Sequence, residues 1–172
     1  MLLSPLQNTA TLENEIWIQK RPHVTQEFGK NPDIYRQFGL KGHNGIDYRA
    51  KVGTPLYAPC DGFTRYRKDS NGYGWHVRIR SQHSPKEIVI GHMLKFPDKI
   101  KGEVNMGDLI GYSGNTGFST GPHVHYGFRI LLESDSNVWK WSVINYGNGY
   151  YGYIDPAPYT INWKGTHNEN TL

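Results

Sequence analysis

Two short stretches of this chain gather side chains that bind metals and move protons. The first is Gly42-His43-Asn44-Gly45-Ile46-Asp47, an imidazole and a carboxylate four positions apart beside two glycines. Both groups are good zinc ligands, and the flexible turn between them lets the two side chains converge. The second is Ser119-Thr120-Gly121-Pro122-His123-Val124-His125-Tyr126. Residues two apart on a strand share a face, so His123 and His125 sit side by side at roughly 7 Å along the chain. Such a pair supplies two ligands, or one ligand and one proton-transfer group. A further histidine, His92, ends the apolar run Glu87-Ile88-Val89-Ile90-Gly91. Each pattern alone has an ordinary explanation: a surface histidine near an aspartate, a polar stripe, a capping residue at a strand end. Their co-occurrence is far more specific than any one of them.

The other histidines lack such company. His76 and His83 lie on or after a polar-faced strand, His23 precedes the first strands and His167 falls near the C-terminus, and all four are read as solvated. Asn115-Thr116-Gly117-Phe118-Ser119-Thr120-Gly121 is glycine-rich but lacks the Lys-Ser/Thr ending of a phosphate loop, so it is read as a turn that shapes a cleft. Cys60 is the only cysteine, which excludes an intrachain disulfide and a thiolate metal cluster. A small buried residue is the expectation for it.

Strands and turns must position these groups. Twenty glycines and ten prolines punctuate 172 residues, 13% of which are aromatic, and few stretches have helix-forming composition. Strands are expected at 45–48, 55–58, 62–66, 75–80, 87–92, 109–113 and 123–130, with one short helix at 32–38. Residues 95–100 and 137–151 read as loops, and the aromatic residues Trp139, Trp141, Tyr150, Tyr151 and Tyr153 either line a groove or fill the core. The length suits one domain, expected over 21–160, with an N-terminal arm at 1–20 and a C-terminal tail at 161–172. Lys and Arg outnumber Asp and Glu by 19 to 15, a mild basic excess that favours anionic polymers. The run Arg65-Tyr66-Arg67-Lys68 reads as a solvated strand face, and no recognition helix or aromatic RNA-binding signature accompanies it, so nucleic acid is not the expected partner.

The chain resembles the lysostaphin-type (LytM-like) zinc metallopeptidases, peptidase family M23. The resemblance rests on His43-Asn44-Gly45-Ile46-Asp47, on Gly53-Thr54-Pro55-Leu56-Tyr57-Ala58-Pro59 with Asp61-Gly62, on 107–117, and on Ser119 to His125. It runs from about Arg21 to Tyr159. It implies a mainly β fold, a single antiparallel β-rich domain of the lysostaphin/LytM (duplicated hybrid motif) type with long loops and little helix. It further implies one Zn²⁺ held by His43, Asp47 and His125, with His92 and His123 as non-ligating catalytic histidines. Three protein ligands leave a fourth position for water, as hydrolysis requires. Zinc would then acidify that water and polarise the scissile carbonyl, with the two histidines moving protons. Two departures stand out: Gly91 precedes His92 where an aromatic residue is frequent, and Tyr35 is the nearest upstream tyrosine to one that some members use as an oxyanion partner.

The implied activity is endopeptidase cleavage of the cross-bridge or stem peptide of bacterial peptidoglycan. The alternatives are a D-Ala-D-Ala carboxypeptidase and a non-catalytic module of the same fold that binds peptidoglycan or activates another enzyme. The first residues lack the charged and apolar regions of a signal peptide, and no stretch is long enough to span a membrane. The expectation is therefore a protein made in the cytoplasm that acts on the wall, fitting a phage lysis enzyme released through a holin or a component of a phage tail or virion.

Overall fold

The computed structural model describes residues 23–159. The proposed arm, the proposed tail and His167 lie outside the described residues. Twelve strands follow in order: β1 (Val24–Gln26), β2 (Ile46–Arg49), β3 (Pro55–Tyr57), β4 (Gly62–Lys68), β5 (Trp75–Ser81), β6 (Lys86–Gly91), β7 (Met93–Lys95), β8 (Glu103–Val104), β9 (Leu109–Ser113), β10 (His123–Leu132), β11 (Ser142–Val143) and β12 (Tyr153–Ile154). The one α-helix among the described residues, α1 (Pro32–Tyr35), starts on proline, whose fixed φ suits a first helical position, and runs into a 3₁₀ turn at Arg36–Phe38. The expected helix at 32–38 is thus present as two short pieces.

The large sheet runs β1-β2-β10-β6-β5-β4-β8, with β11 and β12 also paired to β10, and every pairing is antiparallel. A small sheet, β3-β9-β7, packs against it. Period-two alternation divides the large sheet into two chemically distinct faces. Ile46 and Tyr48, Val77 and Ile79, Ile88 and Ile90, and Val124, Tyr126 and Phe128 fill the face toward the small sheet. There they meet Leu56, Met93 and Ile110 in one buried core. The alternate positions put Asp47, His76, Arg78, Arg80, Glu87, His125 and Arg129 on the opposite face, as the register of their pairings requires.

The strong strands fall where alternation and turn residues place them, and β9 matches its expected span. Lys95, expected to open a loop, instead closes β7, because Met93 is pulled into the core and its strand pairs with β9. The expected 137–151 loop contains a 3₁₀ turn at Val138–Lys140, strand β11 and a second 3₁₀ turn at Tyr146–Asn148. Val138 and Trp141 bury against Leu131 as a second small core, which gives this segment its fixed shape. Cys60 is a buried member of the main core. No helix among the described residues is long and apolar enough to cross a membrane.

Candidate metal centre and cleft

Strand β10 delivers both histidines of the His-x-His pair, and β2 lies directly beside it, so His125 is in register with Asp47. The turn before β2 carries His43. Gly45 in that turn is a steric necessity: a Cβ there would lie 2.4 Å from the Tyr126 carbonyl and 2.6 Å from His125 Cε1.

Three donor atoms meet at the centre. His43 Nε2 lies 2.9 Å from His125 Nδ1, and Asp47 Oδ1 lies 3.0 Å from the first and 3.1 Å from the second. All three residues are buried. His43 donates from Nδ1 to the Glu27 carbonyl at 3.1 Å, which fixes its tautomer and leaves the Nε2 lone pair facing inward. The outer nitrogen of His125, Nε2, is buried and has no hydrogen-bond partner among the described residues. With the ring neutral and its proton on that outer atom, its Nδ1 lone pair also faces the other two donors, an arrangement that a cation between them would satisfy. Tetrahedral coordination at about 2.0–2.1 Å separates ligand atoms by about 3.3 Å, close to the observed triangle. His43, Asp47 and His125 therefore form a group able to hold a metal ion.

The electrostatics agree with a neutral His125 beside one carboxylate. Burial pushes the Asp47 carboxyl up, but the imidazoles of His125 and His43 beside it outweigh burial, so Asp47 is held well below the ordinary carboxylate range. Burial, opposed by Asp47, draws His125 down to about 4.

His92 and His123 stand beside this triangle, their rings 4.5 Å apart by centroid, and the His92 ring is 6.0 Å from that of His125. His123 Nε2 approaches Asp47 Oδ2 at 3.4 Å. Strand parity alone would send the residue after Gly91 into the apolar core. His92 escapes because its φ of 60° is left-handed, a conformation uncommon outside glycine, and its N–H is tied to the Tyr73 carbonyl at 2.8 Å. Both rings donate from Nδ1 to carbonyls of one loop, His92 to Thr116 at 2.7 Å and His123 to Gly121 at 2.7 Å. That loop thus sets the tautomer of both and leaves each Nε2 lone pair available as a base. Burial, then the neighbouring His125 and His123, pulls His92 down to about 3.

The structure brings all five expected site residues together and adds others. Tyr35 borders the cleft, its ring 5.3 Å from His43, with a hydroxyl that accepts from Gln26 at 2.8 Å. Burial and the charge of Asp47 push that hydroxyl up to about 12. Tyr73 packs its ring 5.0 Å from His125 and accepts from Asn44 Nδ2 at 2.6 Å, which ties the residue next to His43 to the residue that holds His92. Nothing in the pattern around Tyr73 marks it except two flanking glycines. His76, expected to be solvated, is buried beneath Tyr73 with ring centroids 5.6 Å apart, and donates from Nδ1 to the Gly74 carbonyl. His83 and His23 are exposed, as expected.

These groups floor a cleft of about 430 Å³, walled by Ile34, Phe38, Phe118 and Tyr151. Among the described residues its lining includes no Lys or Arg, and Asp47 is its only acidic side chain.

A model of peptidase family M23 matches residues 41–138. The DD-carboxypeptidase/endopeptidase Mpg of Neisseria meningitidis is 43% identical over 88 residues, 51% of this chain and 20% of that protein. The glycyl-glycine endopeptidase ALE-1 of Staphylococcus capitis is 31% identical over 140 residues, 77% of this chain and 35% of that protein. The chain thus spans about a fifth to a third of the length of these curated relatives. The catalytic domain of the prophage-encoded M23 protein EnpA from Enterococcus faecalis superposes with a TM-score of 0.60 at 29% identity, covering 84% of this chain and 95% of that domain. The catalytic domain of lysostaphin from Staphylococcus simulans, at 23% identity and a TM-score of 0.61, shares the fold.

Proposed function

The chain belongs to peptidase family M23, and from that premise we propose that it is a zinc-dependent endopeptidase that cleaves the peptide part of bacterial peptidoglycan. The observation that carries the reading is the buried triangle of His43 Nε2, Asp47 Oδ1 and His125 Nδ1 beside two tautomer-fixed histidines. Two imidazoles and one carboxylate are a donor set suited to Zn²⁺ with an open position. Bound zinc supplies Lewis acidity, which polarises the scissile carbonyl and acidifies water.

The chain's own residues do the rest. With Nδ1 of His92 and of His123 each donating to a loop carbonyl, the Nε2 of one takes the proton of the attacking water and hands that same proton to the leaving amine, while the other flanks the reacting centre. The apolar wall of the cleft limits water around the scissile bond and holds an extended peptide backbone. Endopeptidase action is favoured over carboxypeptidase action because the described residues of the lining offer no Lys or Arg to receive a terminal carboxylate. A phage lysis or virion role is supported by the likeness to a prophage-encoded enzyme over almost all of that domain.

Digestion of purified cell walls of defined cross-bridge type, with mass spectrometry of the fragments, tests the activity. Loss of cross-links without free D-alanine is the expected result, and release of D-alanine with cross-links intact would refute it. Metal analysis divides the roles: His43→Ala loses zinc, whereas His92→Ala and His123→Ala retain it and lose at least about 10²-fold in rate. A wild-type chain without zinc, together with an unimpaired His123→Ala, would leave only a binding module.

A further inference from the structure

The polar face of the large sheet carries more positive charge than the site needs. On that face β4, β5, β6 and β10 present Arg65, Arg67, Arg78, Arg80 and Arg129, and the only acidic side chain among these positions is Glu87. Arg80 and Arg129 are buried around Glu87. Arg78 shares the same carboxylate at 2.8 Å but keeps 27% of its side chain exposed. Arg65 and Arg67 are exposed, and neither has a carboxylate partner among the described residues. Arg65 lies directly opposite Arg78 across the β4–β5 pair. Like charges so placed repel, and an anion between them relieves the repulsion.

Register ties this shelf to the cleft. Arg65, Arg78, Val89 and Gly127 form one row across four strands, and His125 is two residues from Gly127 on the same face. Strand spacing of about 4.8 Å puts Arg78 roughly 12 Å and Arg65 roughly 16 Å from His125, the span of four or five extended residues. Tyr73, which borders the cleft, bridges the gap, with the Arg78 guanidinium 5.8 Å from its ring centroid. Arg65 is held in place by stacking over Trp139 at 4.1 Å, which pre-orients its donors.

We propose that Arg65, Arg67 and Arg78 form an anion-binding subsite for carboxylates of the same peptide whose scissile bond lies in the uncharged cleft. This rests on the endopeptidase reading. A peptide crossing Tyr73 reaches the shelf without a break, and guanidinium groups match planar carboxylates bidentately. The cleft then accepts an uncharged segment, and the charged part of the stem is read one shelf away.

The test is binding of the full chain in a His123→Ala background to insoluble peptidoglycan stripped of phosphate polymers with hydrofluoric acid. Arg65→Ser/Arg67→Ser should weaken binding about tenfold at low salt, whereas Lys51→Ser/Lys99→Ser, which removes equal charge from other exposed positions, should change it less than twofold. Carbodiimide amidation of the wall carboxylates should weaken binding by the parent protein similarly and erase its advantage over the arginine variant. Equal losses in the two double variants, or no effect of amidation, would overturn the subsite. A loss seen only on unstripped wall would also overturn it, by assigning the shelf to phosphate. Failure of the endopeptidase reading shows separately, as absence of soluble fragments from the unaltered chain.

Discussion

Glu87→Gln is the substitution with the best-defined expected cost. The Glu87 carboxylate is 1% exposed and accepts four hydrogen bonds from guanidinium groups. Oε1 takes Arg78 Nη1 at 2.8 Å and Arg129 Nε and Nη2 at 3.0 and 2.6 Å, while Oε2 takes Arg80 Nε at 2.7 Å. An amide keeps the shape but removes the charge, and turns one acceptor into a donor that faces another donor. Breaking a buried ion pair from one side costs about 3–5 kcal/mol, and the retained amide oxygen argues for the lower end. About 3 kcal/mol in a chain of this size lowers Tm by about 6–12 °C. Urea and thermal unfolding followed by circular dichroism measure it.

Acidity supplies a second arm of the same experiment. Burial raises the Glu87 carboxyl, but Arg129, Arg78 and Arg80 together hold it below its ordinary value. A depressed folded pKa means that the stabilisation is present above the unfolded value of about 4.3 and disappears as pH falls through the folded one. The gap between wild type and Glu87→Gln should therefore be widest near neutrality and narrow in acid. A loss under about 1 kcal/mol, or a gap independent of pH, would refute the reasoning.

Two further outcomes concern the loop that orients the histidines. Gly74→Ala places a Cβ 2.4 Å from the Thr116 carbonyl at a φ of +61°, so the 115–118 loop has to move. Stability should fall by at least about 2 kcal/mol in urea melts and wall-clearing rate should fall with it. Thr116→Val deletes a hydroxyl that accepts from Trp75 N–H at 2.9 Å and donates to the Met93 carbonyl at 2.8 Å. A loss of about 1–3 kcal/mol is expected, with a lower kcat because the Thr116 carbonyl also holds His92, and Thr116→Ser should recover both.

Much of the scaffold was legible in the chain because it depends on short-range pattern. Alternation in the latter half of 75–80 and the apolar run at 87–91 show where β5 and β6 lie, and the His43/Asp47 and His123/His125 spacings already bring their side chains near one another. What escaped was set by contacts distant in sequence. The orientation of His92 depends on a left-handed φ held by Tyr73, 19 residues earlier. His76 has arginines as its neighbours two and four residues on, the composition of a solvated face, yet Tyr73 covers it. Strands β8, β11 and β12 have two residues each, too few for any period to register.

The two-faced sheet also bears on how such an enzyme changes. Along β4, where Arg65 and Arg67 are exposed and Thr64 just before them is buried, neighbouring codons address different selective pressures: one position governs whether the chain folds, the next what the molecule meets outside. A randomised library confined to Arg65, Arg67 and the cleft wall at Ile34, Phe38, Phe118 and Tyr151 should retain a high folded fraction while diversifying wall preference. The same number of changes at Val77, Ile79, Ile88 and Ile90 should return chiefly unfolded protein.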